Sequence, residues 1–294
     1  MSAIPIRYVN PVWRPPSEAH SLILPVTDGC SWNQCSFCEM YAQKKFRARD
    51  EAEILGNIQY AAQLYGENVR RIFFADGDAM VLSSRKLLLI LNAIKEKMPW
   101  IQRVSAYCLP RNVQKKSTEE LTTLQQAGLK MVYVGAESGD DEVLANIKKG
   151  ETFLSTQDAL NKLKQAHITR SVMILNGLGG KILSQQHAQH SAQLMNAVQP
   201  EFLSVLVTSF PQGFKRIEQD FPQFQMLEKE ELLNEMAEFI AALNLEKTIF
   251  RSDHASNYLV LKGVLNQDKE KLLHSIQLAQ KNTSLLRQEW MRGI

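Results

Sequence analysis

Six short apolar runs recur along this chain, each followed by a stretch with helical spacing, and that alternation limits the folds open to it. The runs are 22–26, 71–75, 101–107, 131–136, 171–175 and 202–207. Apolar blocks this short read as strands buried on both faces. The segments 50–65, 83–97, 118–127, 140–147, 155–166 and 184–198 carry apolar residues at three- and four-residue intervals and read as helices. Gly66, Pro99 and Gly128 stop three of them, and Pro211 with Gly213 ends the sixth strand. Strands alternating with helices pair in parallel through right-handed crossovers, so the expected class is α/β, as a barrel or an open sheet.

From Phe214 onward the rhythm changes. Segments 227–243 and 268–287 read as helices and 248–250 as one more short strand. Residues 1–21 are Pro-rich, contain Trp13, and read as an irregular arm packed over the first strand. No Gly/Ser linker divides the chain. The expected organisation is an arm (1–21), a core (22–215) and a C-terminal extension packed on that core (216–294), in a chain of 294 residues.

No uninterrupted apolar run approaches the ~20 residues that cross a bilayer, so no membrane contact is expected. The start, Met1-Ser2-Ala3-Ile4-Pro5-Ile6-Arg7, lacks the apolar centre of a secretory leader. Four cysteines in a chain this long do not make a disulfide scaffold, which points to a reducing cytoplasm. A net charge of +3 neither demands nor excludes nucleic acid.

Three of the four cysteines lie within nine residues, in Cys30-Ser31-Trp32-Asn33-Gln34-Cys35-Ser36-Phe37-Cys38, just past the first strand. Ligands of α/β folds gather at that edge of a sheet. Thiolates bind soft or borderline metals, and a tight loop can aim three at one centre. Zinc normally takes a fourth ligand, and only the distant Cys108 remains. A [4Fe–4S] cluster on three cysteines leaves one iron open, and the count favours it. Zinc on Cys30, Cys35, Cys38 and perhaps Cys108, without catalysis, is the alternative.

Each later strand end also carries polar or glycine residues. The second ends in Ala75-Asp76-Gly77-Asp78-Ala79-Met80, where carbonyls and carboxylates can hold an ammonium group. The third runs into Cys108-Leu109-Pro110-Arg111; Cys108 reads as a buried strand residue, and Arg111 as a partner for a substrate carboxylate or as half of a surface ion pair. The fourth ends in Gly135-Ala136-Glu137-Ser138-Gly139, whose carboxylate can accept from both hydroxyls of a ribose. The fifth ends in Asn176-Gly177-Leu178-Gly179-Gly180.

Taken in order, these segments resemble the radical S-adenosylmethionine (radical SAM) superfamily. The likeness lies in the cysteine loop with Phe37 before its last cysteine, in Gly-Ala-Glu-Ser-Gly, and in the strand-end order over roughly residues 20–215. The commonest form of the family has three residues in the first cysteine gap, where this chain has four. The resemblance implies a partial (β/α)6 TIM-like barrel with a C-terminal helical extension, and a [4Fe–4S] cluster held by Cys30, Cys35 and Cys38. It implies SAM contacts from Phe37, from Gly77, Asp78 and Ala79 (a loose form of the Gly-Gly-Glu-Pro-like segment), from Glu137 and Ser138, and from Asn176 and Gly177. Lys149 falls where the family places an arginine that meets the SAM carboxylate, so the cation is kept without its bidentate fork.

The implied reaction is reductive cleavage of SAM to a 5′-deoxyadenosyl radical that abstracts hydrogen from a substrate the sequence does not name. No cysteine is left for a second cluster or for a C-terminal catalytic thiol. An electron donor, flavodoxin or ferredoxin, is implied, with the basic run Lys44-Lys45-Phe46-Arg47-Ala48-Arg49 as its docking patch, as the phosphate track of an RNA-modifying enzyme, or simply as a solvated loop. Substrate-contact candidates besides Arg111 are Arg251, His254 and Asn257, in a nine-residue stretch dense in polar side chains. His254 can exchange a proton near neutral pH. A polar loop satisfying its own backbone is the other reading of that stretch.

Overall fold

The computed structural model describes residues 6–210 and 213–292. The first five residues of the expected arm and Pro211, expected to close the sixth strand, lie outside the described residues.

In chain order the elements are β1 (Leu22–Pro25), β2 (Thr27–Asp28), β3 (Arg47–Ala48), α1 (Glu51–Tyr65), β4 (Arg71–Ala75), α2 (Ser84–Lys97) and β5 (Arg103–Cys108). There follow α3 (Pro110–Gln114), α4 (Thr118–Gln126), β6 (Leu129–Glu137), α5 (Asp141–Asn146), α6 (Phe153–Gln165), β7 (Thr169–Asn176), α7 (Gly180–Val198) and β8 (Phe202–Val207). The chain continues through α8 (Lys215–Asp220), α9 (Lys229–Ala242), β9 (Thr248–Arg251), β10 (Lys262–Leu265) and α10 (Lys269–Lys281). The main sheet has eight strands in the order β1-β4-β5-β6-β7-β8-β9-β10, and its recorded pairings are parallel except β9 with β10. The class is α/β, as the alternation required.

Local signals explain the boundaries. Ser83 caps α2, its hydroxyl accepting from the Lys86 N–H, and Ser117 with Glu120 forms a capping box on α4. Gly66 ends α1 at a φ of 50°. Several elements depart from expectation, among them the small β2 and β3 and the helix α8. The short α3, not anticipated, opens on Pro110, since proline fits the first turn of a helix. The C-terminal helix ends at Lys281 and not near residue 287, because the Asn282 side chain accepts the Ser284 N–H and starts a new turn. The antiparallel β10 was not anticipated.

The chain divides into two compact units. The first comprises residues 1–33, 40–134 and 161–170. Its core is built on β1, β4 and β5, with Leu24, Ile72, Phe73, Phe74 and Ala106 fully buried, and Phe73, Tyr107 and Tyr133 meet edge to face. The arm lies against this unit. The Tyr8 hydroxyl donates to the Ile23 carbonyl at 3.0 Å, and buried Glu18 pairs with Arg103 and with the Tyr133 hydroxyl, each at 2.6 Å. The second unit comprises residues 34–39, 135–160 and 171–294. In it Val143, Leu144, Ile147, Leu178, Leu183, Ile217 and Phe221 form one cluster against which Phe37 packs, and α7 packs on α9.

The basic run is where the structure most changes the picture. Lys44 and Arg49 are not surface residues, with side chains 6% and 1% exposed. Arg49 binds Asp28 Oδ1 through two nitrogens at 2.7 and 3.0 Å, and Arg47 takes Oδ2 of the same carboxylate. Lys44 binds Asp76 at 2.6 Å. Two acids at strand ends thus recruit three of the four cations, and neither the docking patch nor the phosphate track remains as drawn. Lys45 stays exposed.

Removing Arg49 leaves Asp28 a largely buried carboxylate that has lost its best-buried partner. Arg49→Ala is expected to cost about 3–5 kcal/mol in chemical denaturation, and a loss below ~1 kcal/mol would show that this pair does not hold the loop base.

Candidate functional site

In the first unit, the strand β1 hands the chain to β2, which pairs with β3 in register Thr27 with Ala48 and Asp28 with Arg47. This ribbon closes the base of the loop carrying the cysteines. The Gly29 N–H donates to Asp76 Oδ2 at 3.0 Å, and Asp76 in turn donates its own N–H to the Thr27 hydroxyl. Burial raises the Asp76 carboxyl above its ordinary value, against the bonds from Lys44 and Gly29. Asn33 takes a left-handed φ of 47°, its amide donating to the Tyr41 carbonyl at 2.8 Å.

Cys30 is half-buried. Beside it, the Ser31 hydroxyl donates to Asp78 Oδ2, which also accepts from Asn112 Nδ2 at 2.6 Å. The Arg111 guanidinium stacks 3.7 Å above the Trp32 ring. Arg111, singled out as a substrate contact, therefore lies on the cysteine loop. Gly77 donates to the Gly29 carbonyl, and a Cβ there would come within 2.5 Å of the Tyr41 ring. The close approach expected of Gly77 is made by the chain's own tyrosine. Ala79 is fully buried, and Cys108 is buried on β5 with its thiol near the Leu109 carbonyl.

In the second unit, Cys35 is buried and Cys38 half-buried. Ser36 between them donates its N–H to the Ile147 carbonyl at 2.9 Å and its hydroxyl to Asp220 at 2.8 Å, while Arg216 donates to the Cys38 carbonyl at 2.7 Å. Asp220 and Arg216, both on α8, were missed by sequence reasoning, and no spacing rule points from them to the loop. Among the described residues no three Cys, His, Asp or Glu side chains stand gathered as a metal cage. What the loop offers a cluster is its donor set, three thiols on a backbone tied at its base and along its length.

Glu137 ends β6 at a φ of 66°, and its Oε1 accepts from Lys149 Nζ at 3.1 Å, in a pair with side chains 10% and 4% exposed. Lys149 Nζ also lies 5.9 Å above the centre of the Phe37 ring. The Glu137 carboxylate folds back over Gly135 so closely that a Cβ there would sit 1.9 Å from Oε1. The structure thus brings together Phe37, Glu137 and Lys149. An ammonium with three donors and a carboxylate with two oxygens suit a zwitterionic ligand bearing a diol.

Other candidates are engaged by the chain itself. Ser138 bonds His187, and Asn176 donates its side-chain amide to the Leu232 carbonyl at 3.0 Å. The Gly177 N–H donates to Glu235 at 2.6 Å. Asn257 donates to the Val205 carbonyl, His254 bonds Ser256, and Arg251 donates to the Phe250 carbonyl. Burial lowers the His254 value. Arg287 and Arg292 hold the loop of His254 and Asn257 by donating to the His254 and Ser256 carbonyls.

These features define an α/β protein with a thiol-bearing loop at the tip of its first strand. The profile of the radical SAM superfamily matches residues 24–194, more than half of the chain. The chain belongs to that superfamily, a family of enzymes whose cofactors are a [4Fe–4S] cluster and SAM. Solved structures share its fold. The radical SAM methyltransferase TsrM from Kitasatospora setae matches with a TM-score of 0.52 and 20% identity, over 64% of this chain and 36% of that one. The Escherichia coli coproporphyrinogen III oxidase HemN, a radical SAM enzyme, matches with a TM-score of 0.58 and 14% identity, over 75% and 51%. Methylornithine synthase (PylB) matches with a TM-score of 0.53 and 14% identity, over 87% and 68%. The chain spans about a third of TsrM and half of HemN. No curated protein sequence matches it. No helix among the described residues is long and apolar enough to cross a membrane.

Burial pushes the Asp78 carboxyl from 3.8 up to about 6, against the bond from Ser31. The native state then holds this proton more tightly than the unfolded chain. The stability drawn from Asp78 is full below about pH 4, falls between about pH 4 and 6, and is flat above. Asp78→Asn is expected to gain on the wild type by about 2–3 kcal/mol between pH 4 and 7. Parallel denaturation midpoints across that range would refute the assignment.

Proposed function

We propose that this protein is a single-cluster radical SAM enzyme in which Cys30, Cys35 and Cys38 hold a [4Fe–4S] cluster and SAM binds beside it. The cysteine loop, launched from the tip of β1 within the region that matches the family, carries this reading. Bound and reduced, a cluster held by these cysteines would supply the single electron needed for reductive cleavage of SAM to methionine and a hydrogen-abstracting 5′-deoxyadenosyl radical.

The chain's own part is to bind and orient. Lys149 would meet the SAM carboxylate and Glu137 the ribose hydroxyls, with Phe37 flanking them. Asp78 and the backbone from Gly77 to Ala79 would receive the amino group. Asn176 and Gly177 would support that site by their placement, held there by the Asn176 amide bond to the Leu232 carbonyl and the Gly177 N–H bond to Glu235. The substrate is unassigned, and Arg111, Arg251, His254 and Asn257 remain its candidate contacts. A one-electron donor such as a flavodoxin or ferredoxin would serve it in a reducing cytoplasm.

Anaerobic reconstitution with iron and sulfide is expected to give a brown protein with broad absorbance near ~400 nm. With dithionite and SAM it should release 5′-deoxyadenosine, and Cys38→Ala should do neither. Colourless protein with one tightly bound zinc would replace this reading with a non-catalytic metal site.

Gly135→Ala puts a methyl group where Glu137 Oε1 lies and drives the carboxylate off Lys149. SAM affinity by calorimetry should fall about 10-fold or more, the worth of a charged hydrogen bond. Unchanged affinity would remove Glu137 from the SAM contacts.

A further inference from the structure

Helix α7 carries Ser184, His187 and Ser191 at i, i+3 and i+7, a polar stripe on a face otherwise lined by Leu183, Ala188, Ala192 and Met195. His187 and Ser191 are almost fully buried. Polar residues on the core face of a helix need partners, and here the partners are two strand tips. His187 Nδ1 lies 2.8 Å from the Ser138 hydroxyl, and Nε2 lies 3.0 Å from the Leu175 carbonyl. The Ser191 hydroxyl accepts the Gly139 N–H at 2.9 Å. From α9, Glu235 Oε1 accepts the Gly177 N–H at 2.6 Å, and Oε2 accepts from the Ser184 hydroxyl at 2.5 Å. His187 Nε2 and Glu235 Oε1 are 3.8 Å apart.

For a neutral imidazole at His187 the protons in this network have one consistent placement. A carbonyl only accepts, so Nε2 carries the proton that reaches Leu175. The Ser138 hydroxyl already accepts the Asp140 N–H at 3.0 Å, so its own proton goes to Nδ1. Glu235 is then an acceptor at both oxygens, although burial raises its carboxyl above the ordinary value.

We propose that His187 and Glu235 are positioning residues that lock the tips of β6 and β7 in fixed relation, so that Glu137 and Asn176 are presented to SAM without further reorganisation. The inference rests on the SAM reading above and adds to it a residue, Glu235, that lies beyond the part of the chain matching the family. Leu232, one turn before Glu235, completes the clamp: its carbonyl accepts from Asn176, and its side chain leaves no room for a Cβ at Gly177.

The test compares Glu235→Gln, whose amide keeps an acceptor for Gly177 and a group that can meet Ser184, with Glu235→Leu and His187→Phe, which keep bulk but not bonding. Exchange of the Gly177 amide is measured by NMR without ligand, and SAM affinity by calorimetry on the reconstituted protein. Glu235→Leu should exchange Gly177 at least ~10-fold faster and bind SAM about 10-fold more weakly, while Glu235→Gln stays within about 3-fold of wild type in both. His187→Phe should weaken SAM binding likewise, and His187 in the wild type should show the Nε2–H tautomer in long-range proton–nitrogen spectra. Unchanged exchange in Glu235→Leu, or faster exchange with unchanged affinity, overturns the positioning role. Wild-type protein that binds no SAM overturns the functional reading instead, and the ligand-free exchange and tautomer data then decide the brace alone.

Discussion

Asp28 and Asp76 hold closed the base of the loop that carries the three clustered cysteines. A carboxylate with little access to water is tolerated only with counter-charges and donors around it, and here Arg47 and Arg49 converge on one acid while Lys44 and the Gly29 N–H meet the other. The pairs join residues on either side of the cysteines, so the loop begins and ends on fixed points. Its interior is then shaped by local bonds. Ser31 and Asn33 act near Cys30, and Ser36 with the Cys38 carbonyl act near the other two.

Glu137 and Lys149 show the same economy at a strand end. An acid–base pair buried by its own chain holds both side chains in place. The left-handed Glu137 and the absence of a Cβ at Gly135 are what let the carboxylate turn back toward its partner.

Much of the fold could be read from the chain because its signals are local. The run 202–207 became β8 without a shift, and Ser83, Ser117 and Gly66 marked helix ends as capping chemistry requires. The cysteine loop was legible because thiol spacing is itself the signal. Lys44 and Arg49 were misread because a cation's letter says nothing of a carboxylate twenty or thirty residues away. The stripe on α7 was overlooked for the opposite reason, since Ser184, His187 and Ser191 were visible at helical spacing but their partners lie far off in sequence, on β7, just past β6 and on α9. The short α3 was not foreseen because a proline both breaks helices and begins them.

The reach of α9 into the tip of β7 has an evolutionary corollary. Segments downstream of a shared catalytic scaffold are often regarded as interchangeable modules that diversify what a family acts upon. Here the downstream helix supplies an anion and a carbonyl to the scaffold itself, at Gly177 and Asn176. Exchanging it wholesale would leave an orphaned amide in the interior, so divergence of this tail is constrained to surfaces other than the one bearing Leu232 and Glu235.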